Sequence, residues 1–189
     1  MEHKHDDSAV FGFWIYLMTD LLMFAVLFAV YAVLRDSTFG GITIKAIFNP
    51  PFVLAETFIL LTSSFICGLA MMAAHAGNIR KTVTLLSITI FLGITFVAME
   101  LYEFAHLISE GSDWTKSAFL SSFFALTGTH GLHIIIGCIW IAIILFFIKK
   151  RGLSPTNLQK ITMAGLFWHF LDIVWIFIFT IVYLMGGIS

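Results

Sequence analysis

Two histidines three residues apart, His130 and His133, sit in the stretch "GTHGLHIIIG" (128–137), and a third, His169, follows in "FWHFLDIVWIF" (167–177). Imidazole is the commonest side-chain ligand for haem iron and transition metals, so a redox centre is the first chemistry to test. Carboxylates accompany them: Asp20, Glu56, Glu100, Glu103 and Asp172, with His75 and His106 completing the polar set. "EFAH" (103–106) has the Glu-x-x-His form that carboxylate-bridged di-iron bundles use, and Glu100 lies one helical step before it. Such a site requires a second Glu-x-x-His and further glutamates from other helices, and the chain has no second copy. A polar contact between helices is the plainer reading of that face.

The same reasoning bears on the histidines. Residues three apart project from one face of a helix, whereas a bis-histidine haem draws its ligands from opposite sides of the ring. His130 and His133 alone are poorly placed for that, although His169 on another element could oppose them. An autonomous membrane haem or metal protein using His130, His133 and His169 therefore stands as the alternative. Gly128, Gly131 and Gly137 favour packing instead, because small residues let helices approach until His and Thr side chains bond across the contact. His169 and Asp172, also three apart, suit either a helix tie or a proton relay, with Trp168 and Trp175 as indole donors nearby.

What must position these groups follows from the solvent. Of 189 residues, 60% are hydrophobic and 11% charged, and the mean hydropathy is +1.00. No single soluble core of ordinary size hides that much apolar surface, so the chain belongs in a bilayer. A net charge of −1 with only ten Lys and Arg gives no basic surface for nucleic acid. Cys67 and Cys138 lie in apolar runs and read as small buried thiols. A membrane crossing takes about 20 apolar residues. Five stretches reach that length, at about 10–34, 52–76, 82–107, 119–148 and 161–186. The expectation is an all-α integral membrane protein, one domain over 1–189 made of five transmembrane helices. The first run is too long for a signal h-region and lacks a small-residue cleavage site, so it reads as a retained span.

Connections are short and polar; the longest, 36–51, carries Gly40, Gly41 and Lys45. Positive charge sets orientation. Lys4, Arg80, Lys81, Lys149, Lys150, Arg151 and Lys160 fall on one side, and Arg35, Lys45 and Lys116 on the other. Seven against three places the N-terminus in the cytoplasm and the C-terminus outside. None of the polar groups within the spans is Lys or Arg, so the acids have no intramembrane cation and should be neutral or hydrogen-bonded to His, Trp, Tyr, Ser or Thr.

The segments "FGFWIYLMTDLLMF" (11–24), "PFVLAETFILLTSS" (51–64), "MELYEF" (99–104), "FFALTGTHGLHIIIG" (123–137) and "FWHFLDIVWIFIFTIVYLMG" (167–186) resemble, in order, subunit III of the haem-copper terminal oxidases. The five-helix form and the "VYLMG" ending are most similar to subunit III of bacterial cytochrome o ubiquinol oxidases. That resemblance implies an accessory subunit with no catalytic, cofactor-binding or metal-binding residues of its own. It places haems and copper in subunit I, makes subunit I the main contact beside subunits II and IV, and implies bound phospholipid in a bacterial cytoplasmic membrane. Asp20 occupies the place of an acid that the family carries early in its first shared helix, near lipid and tied to long-term activity. It is one methylene shorter than the Glu of the mitochondrial-type proteins. Asp20, Glu56, Glu100, Glu103, His130, His133, His169 and Asp172 then become structural polar or lipid-adjacent residues.

Overall fold

The computed structural model describes residues 2–38, 49–112 and 114–188, with side chains for 8, 10–38, 49–112 and 114–186. Most of the connection 36–51, with Gly40, Gly41 and Lys45, lies outside them, as does the Lys4 side chain. Helices α1 (Glu2–Leu34), α2 (Pro50–His75), α3 (Ile79–Ser109), α4 (Ala118–Arg151) and α5 (Pro155–Ile178) follow one another. The last runs on into a π-helical segment, Phe179–Leu184, and a short α6, Met185–Ile188. Five of these elements are long and apolar enough to cross a membrane. The fold is the expected all-α membrane bundle.

The helix ends carry local signals. Proline opens α2 and α5, where its missing N–H costs nothing. Asn78, Ser117 and Ser154 cap α3, α4 and α5 by accepting from the backbone N–H of Lys81, Leu120 and Asn157 at 3.2, 3.1 and 3.3 Å. Gly77 turns the chain sharply between α2 and α3 at φ 74°, a backbone that side chains disfavour. The capped starts explain why α3 and α5 begin earlier than the apolar runs at 82 and 161. Polar first turns such as "PTNLQK" are helical while lying at the bilayer boundary, so hydropathy alone misses them.

Helices α2, α3, α4 and α5 close a ring in which each packs on the next and α5 returns to α2. Helix α1 lies outside it, against α4 and α5. Lipid tails are as apolar as leucine, so the ring is held by close fit and polar ties rather than by hydrophobic exclusion. Trp168 is its wedge. A Cβ at Gly93 of α3 would come within 2.7 Å of the indole, and one at Gly137 of α4 within 3.1 Å. The indole N–H donates to Ser63 Oγ of α2 at 2.9 Å, so one α5 side chain touches all three ring neighbours. Two further bonds extend this seam along α2 and α5: Trp175 Nε1 donates to Thr57 Oγ1 at 3.1 Å, and Ser64 Oγ meets His169 Nδ1 at 2.7 Å. The outward faces stay apolar and open, as at Val33, Phe91 and Met72.

Candidate functional site

The sequence-selected residues fall into three polar groups and one isolated histidine. On the α1–α4 contact, His133 donates from Nδ1 to the Thr129 carbonyl at 2.7 Å. That fixes Nδ1 as the protonated nitrogen, since a carbonyl only accepts. Its Nε2 is left facing Asp20 Oδ2 at 3.8 Å. Both residues are nearly buried, at 8% exposure each. The Asp20 carboxyl is the one acid on α1 at membrane depth, and it is turned to the bundle and not to lipid, as the cost of an exposed charge there requires.

On the α2–α5 contact, His169 bonds Ser64 and the Asp172 carboxyl reaches the same serine. These three line an open groove of about 390 Å³ with Gly68, Phe65 and Met72. Gly68 lies beside the His169 ring, with room for a methyl group in ordinary contact at 3.9 Å.

The third group joins four elements. Glu56 of α2 is fully buried, and neither of its oxygens has a hydrogen-bond partner among the described residues. It lies within electrostatic range of Glu103 and Glu100 of α3. Tyr183, in the π-helical segment, donates its hydroxyl to Glu103 Oε2 at 2.9 Å. Gly131 of α4 faces the Glu100 carboxyl so closely that a Cβ would stand 2.9 Å from its carboxyl carbon. Above this group a cavity of about 190 Å³ opens between the start of α2 and the end of α3, lined by Asn49, Phe52, Tyr102, Glu103, His106, Leu107 and Glu110. His106 pairs there with Glu110 at 3.5 Å, on the surface. At the opposite end, His75 bonds the Met71 carbonyl.

His130 stands apart. It is fully buried, stacked on Trp175 with ring centres 5.4 Å apart, and edged by Phe96 at 5.9 Å and Phe24 at 6.3 Å. His130 and His133 share Phe24 as a neighbour while His169 lies on the α2–α5 contact, and among the described residues no three His, Cys, Asp or Glu converge with metal-binding geometry. Glu103 and His106 both line the cavity between α2 and α3, Glu103 accepting from Tyr183 and His106 pairing with Glu110.

Sequence reasoning overlooked five participants. Tyr183 sits in an unbroken apolar run, and only the π segment turns it onto Glu103. Ser63, Ser64 and Thr57 passed as ordinary small residues, although "TSS" beside an acid one and two turns earlier was a usable hint of a polar seam. Gly131 was read as a general packing residue, not as the notch for a particular carboxyl. One apolar feature was also invisible: a cleft of about 510 Å³ between α1 and α5, lined by Trp14, Leu21, Phe28, Phe170, Ile173 and Phe177 among others.

The family model described as cytochrome c oxidase subunit III matches residues 4–187. The chain is 51% identical to a Pseudomonas aeruginosa protein named cytochrome bo(3) ubiquinol oxidase subunit 3, over 99% of this chain and 90% of that one. It is 48% identical to quinol oxidase subunit 3 of Bacillus subtilis, over 98% and 92%, and 43% identical to cytochrome c oxidase subunit 3 of Bacillus sp. strain PS3, over 94% and 86%. With the match running through all five spans and every polar group described above, the chain belongs to the cytochrome c oxidase subunit III family.

Proposed function

We propose that this chain is the accessory, non-catalytic subunit 3 of a respiratory haem-copper ubiquinol oxidase, whose complex oxidises ubiquinol, reduces oxygen to water and translocates protons. The observation that carries this reading is the 51% identity, across nearly the whole chain, to a protein named as that subunit. The haems and copper belong to subunit I, which the chain stabilises as its main contact beside subunits II and IV. The membrane is the bacterial cytoplasmic membrane, with the N-terminus inside and the C-terminus outside, as the seven-to-three distribution of Lys and Arg favours.

The polar groups act as ties and not as reaction centres. His169 and Asp172 with Ser64 hold α2 to α5, Glu103 with Tyr183 ties α3 to the π segment, Asp20 faces His133 across the α1–α4 contact beyond hydrogen-bond reach, and Glu56 and Glu100 are buried beside Glu103. His130 fills the aromatic centre. The apolar cleft between α1 and α5 takes phospholipid tails. The electron donor is chosen by other subunits, so the strain PS3 relative, named for cytochrome c, is compatible with one subunit design serving both donors.

Co-purification followed by mass spectrometry tests the assignment. Oxidase subunits I, II and IV should accompany the chain, and the complex should oxidise ubiquinol. Isolation without them, or with a Soret band on the chain alone, would overturn it.

A further inference from the structure

From the geometry we infer that Glu56, Glu100 and Glu103 form a hydrated carboxylic pocket that binds water and exchanges protons with the medium through the cavity between α2 and α3. This goes beyond the subunit's place in an oxidase and does not depend on the electron donor. Glu56 carries it: a fully buried carboxyl with both oxygens unpartnered is costly unless water or a proton satisfies it. Glu100 Oε1 is buried and unpartnered as well. Three features shape the pocket. Gly131 supplies the notch that admits the Glu100 carboxyl. The π-helical segment, a geometry found mostly at functional positions, delivers the Tyr183 hydroxyl to Glu103. Glu103 itself is half-buried, and its carboxyl also lines the open cavity with Asn49, Tyr102, His106 and Glu110.

A cation is the weaker occupant, because among the described residues these acids do not close to metal-binding spacing. The titratable groups facing Glu56 are Glu100 and Glu103 from α3 and Tyr183 from the π segment; His106 and Glu110 stand at the mouth, and His130 lies beyond Gly131 on α4. The path is therefore mouth water, Glu103, bridging water, Glu56. A proton from mouth water adds to one Glu103 oxygen as the proton on the other oxygen leaves to bridging water. That water passes a proton to one Glu56 oxygen as the proton on the other oxygen returns to the same water, and the reverse sequence through Glu103 delivers the returned proton to the mouth water. No electron moves, and each carboxyl ends in the protonation state in which it began.

Infrared spectroscopy of the purified complex during transfer into D2O tests this. A protonated-carboxyl C=O band should shift as O–H becomes O–D and should be missing in Glu56→Gln; Glu56→Asp, which moves the band without removing it, assigns it if the amide variant fails to assemble. Glu103→Gln keeps an acceptor for Tyr183 but cannot relay, and should slow exchange of the Glu56 band about a hundredfold or more. An exchange rate unchanged in Glu103→Gln, or no exchanging carboxyl band sensitive to residue 56, would overturn the proposal.

Discussion

At Gly131 a single hydrogen faces the Glu100 carboxyl, and Gly131→Ala drives a methyl group into it. Relief requires the buried end of the Glu100 side chain to swing away within a packed contact, and overpacking of this kind costs about 1–3 kcal/mol. The purified complex should lose thermal stability, read as a lowered Tm, while Gly12→Ala, where nothing lies within reach, should leave it unchanged. Asp20 should behave differently. Its nearest polar neighbour across the α1–α4 contact is His133 at 3.8 Å, longer than a hydrogen bond, so Asp20→Asn removes little binding between the helices. The variant complex should assemble and start at the wild-type rate, with faster loss of activity on prolonged turnover as the measured defect; immediate loss would mark Asp20 as catalytic. The sequence displayed every acid and histidine involved, because ionisable residues stand out against an apolar run. It concealed their partners. Asp20 meets His133 more than a hundred residues away, and serine, glycine and tyrosine partners carry no signal until two helices are placed side by side.

Among the elements, α5 decides how the ring closes. Its bonds from Trp168, His169 and Trp175 to Ser63, Ser64 and Thr57 run along one seam with α2. Bonds between membrane helices average about 0.6 kcal/mol, so three of them together are worth less than the close fit around Trp168. Ser63→Ala should therefore be mild, whereas Gly93→Ala, which places a methyl group 2.7 Å from the indole, should prevent normal assembly. The yield of intact complex by native gel checks the contrast. Spans were legible because length and hydropathy suffice for a crossing. Their ends were less so, since caps at Asn78 and Ser154 extend helices into polar sequence, and the π-helical turn at 179–184 arises from packing around Tyr183 rather than from any residue in "FTIVYL" that requires it.

For the molecule as a whole, the predictions concern topology and removal. Cysteines at Thr156 and Glu110, on opposite ends of the bundle, should be labelled from the cytoplasmic and outer sides respectively; the reverse pattern would overturn the orientation. An oxidase lacking the chain should retain its full haem and copper complement and its initial rate, but inactivate faster and release lipid more readily, with re-addition restoring its half-life. Haem analysis, oxygen uptake and lipid mass spectrometry read the three quantities. A missing haem in correctly assembled depleted complex would return His130, His133 and His169 to consideration as ligands. The position of α1 also bears on biogenesis. It precedes α4 and α5 in the chain yet rests on them. Before those helices leave the ribosome, α1 must reside alone in lipid with Asp20 turned toward hydrocarbon, so the nascent chain passes through a stage in which that one carboxyl gives a membrane chaperone or insertase a reason to hold it.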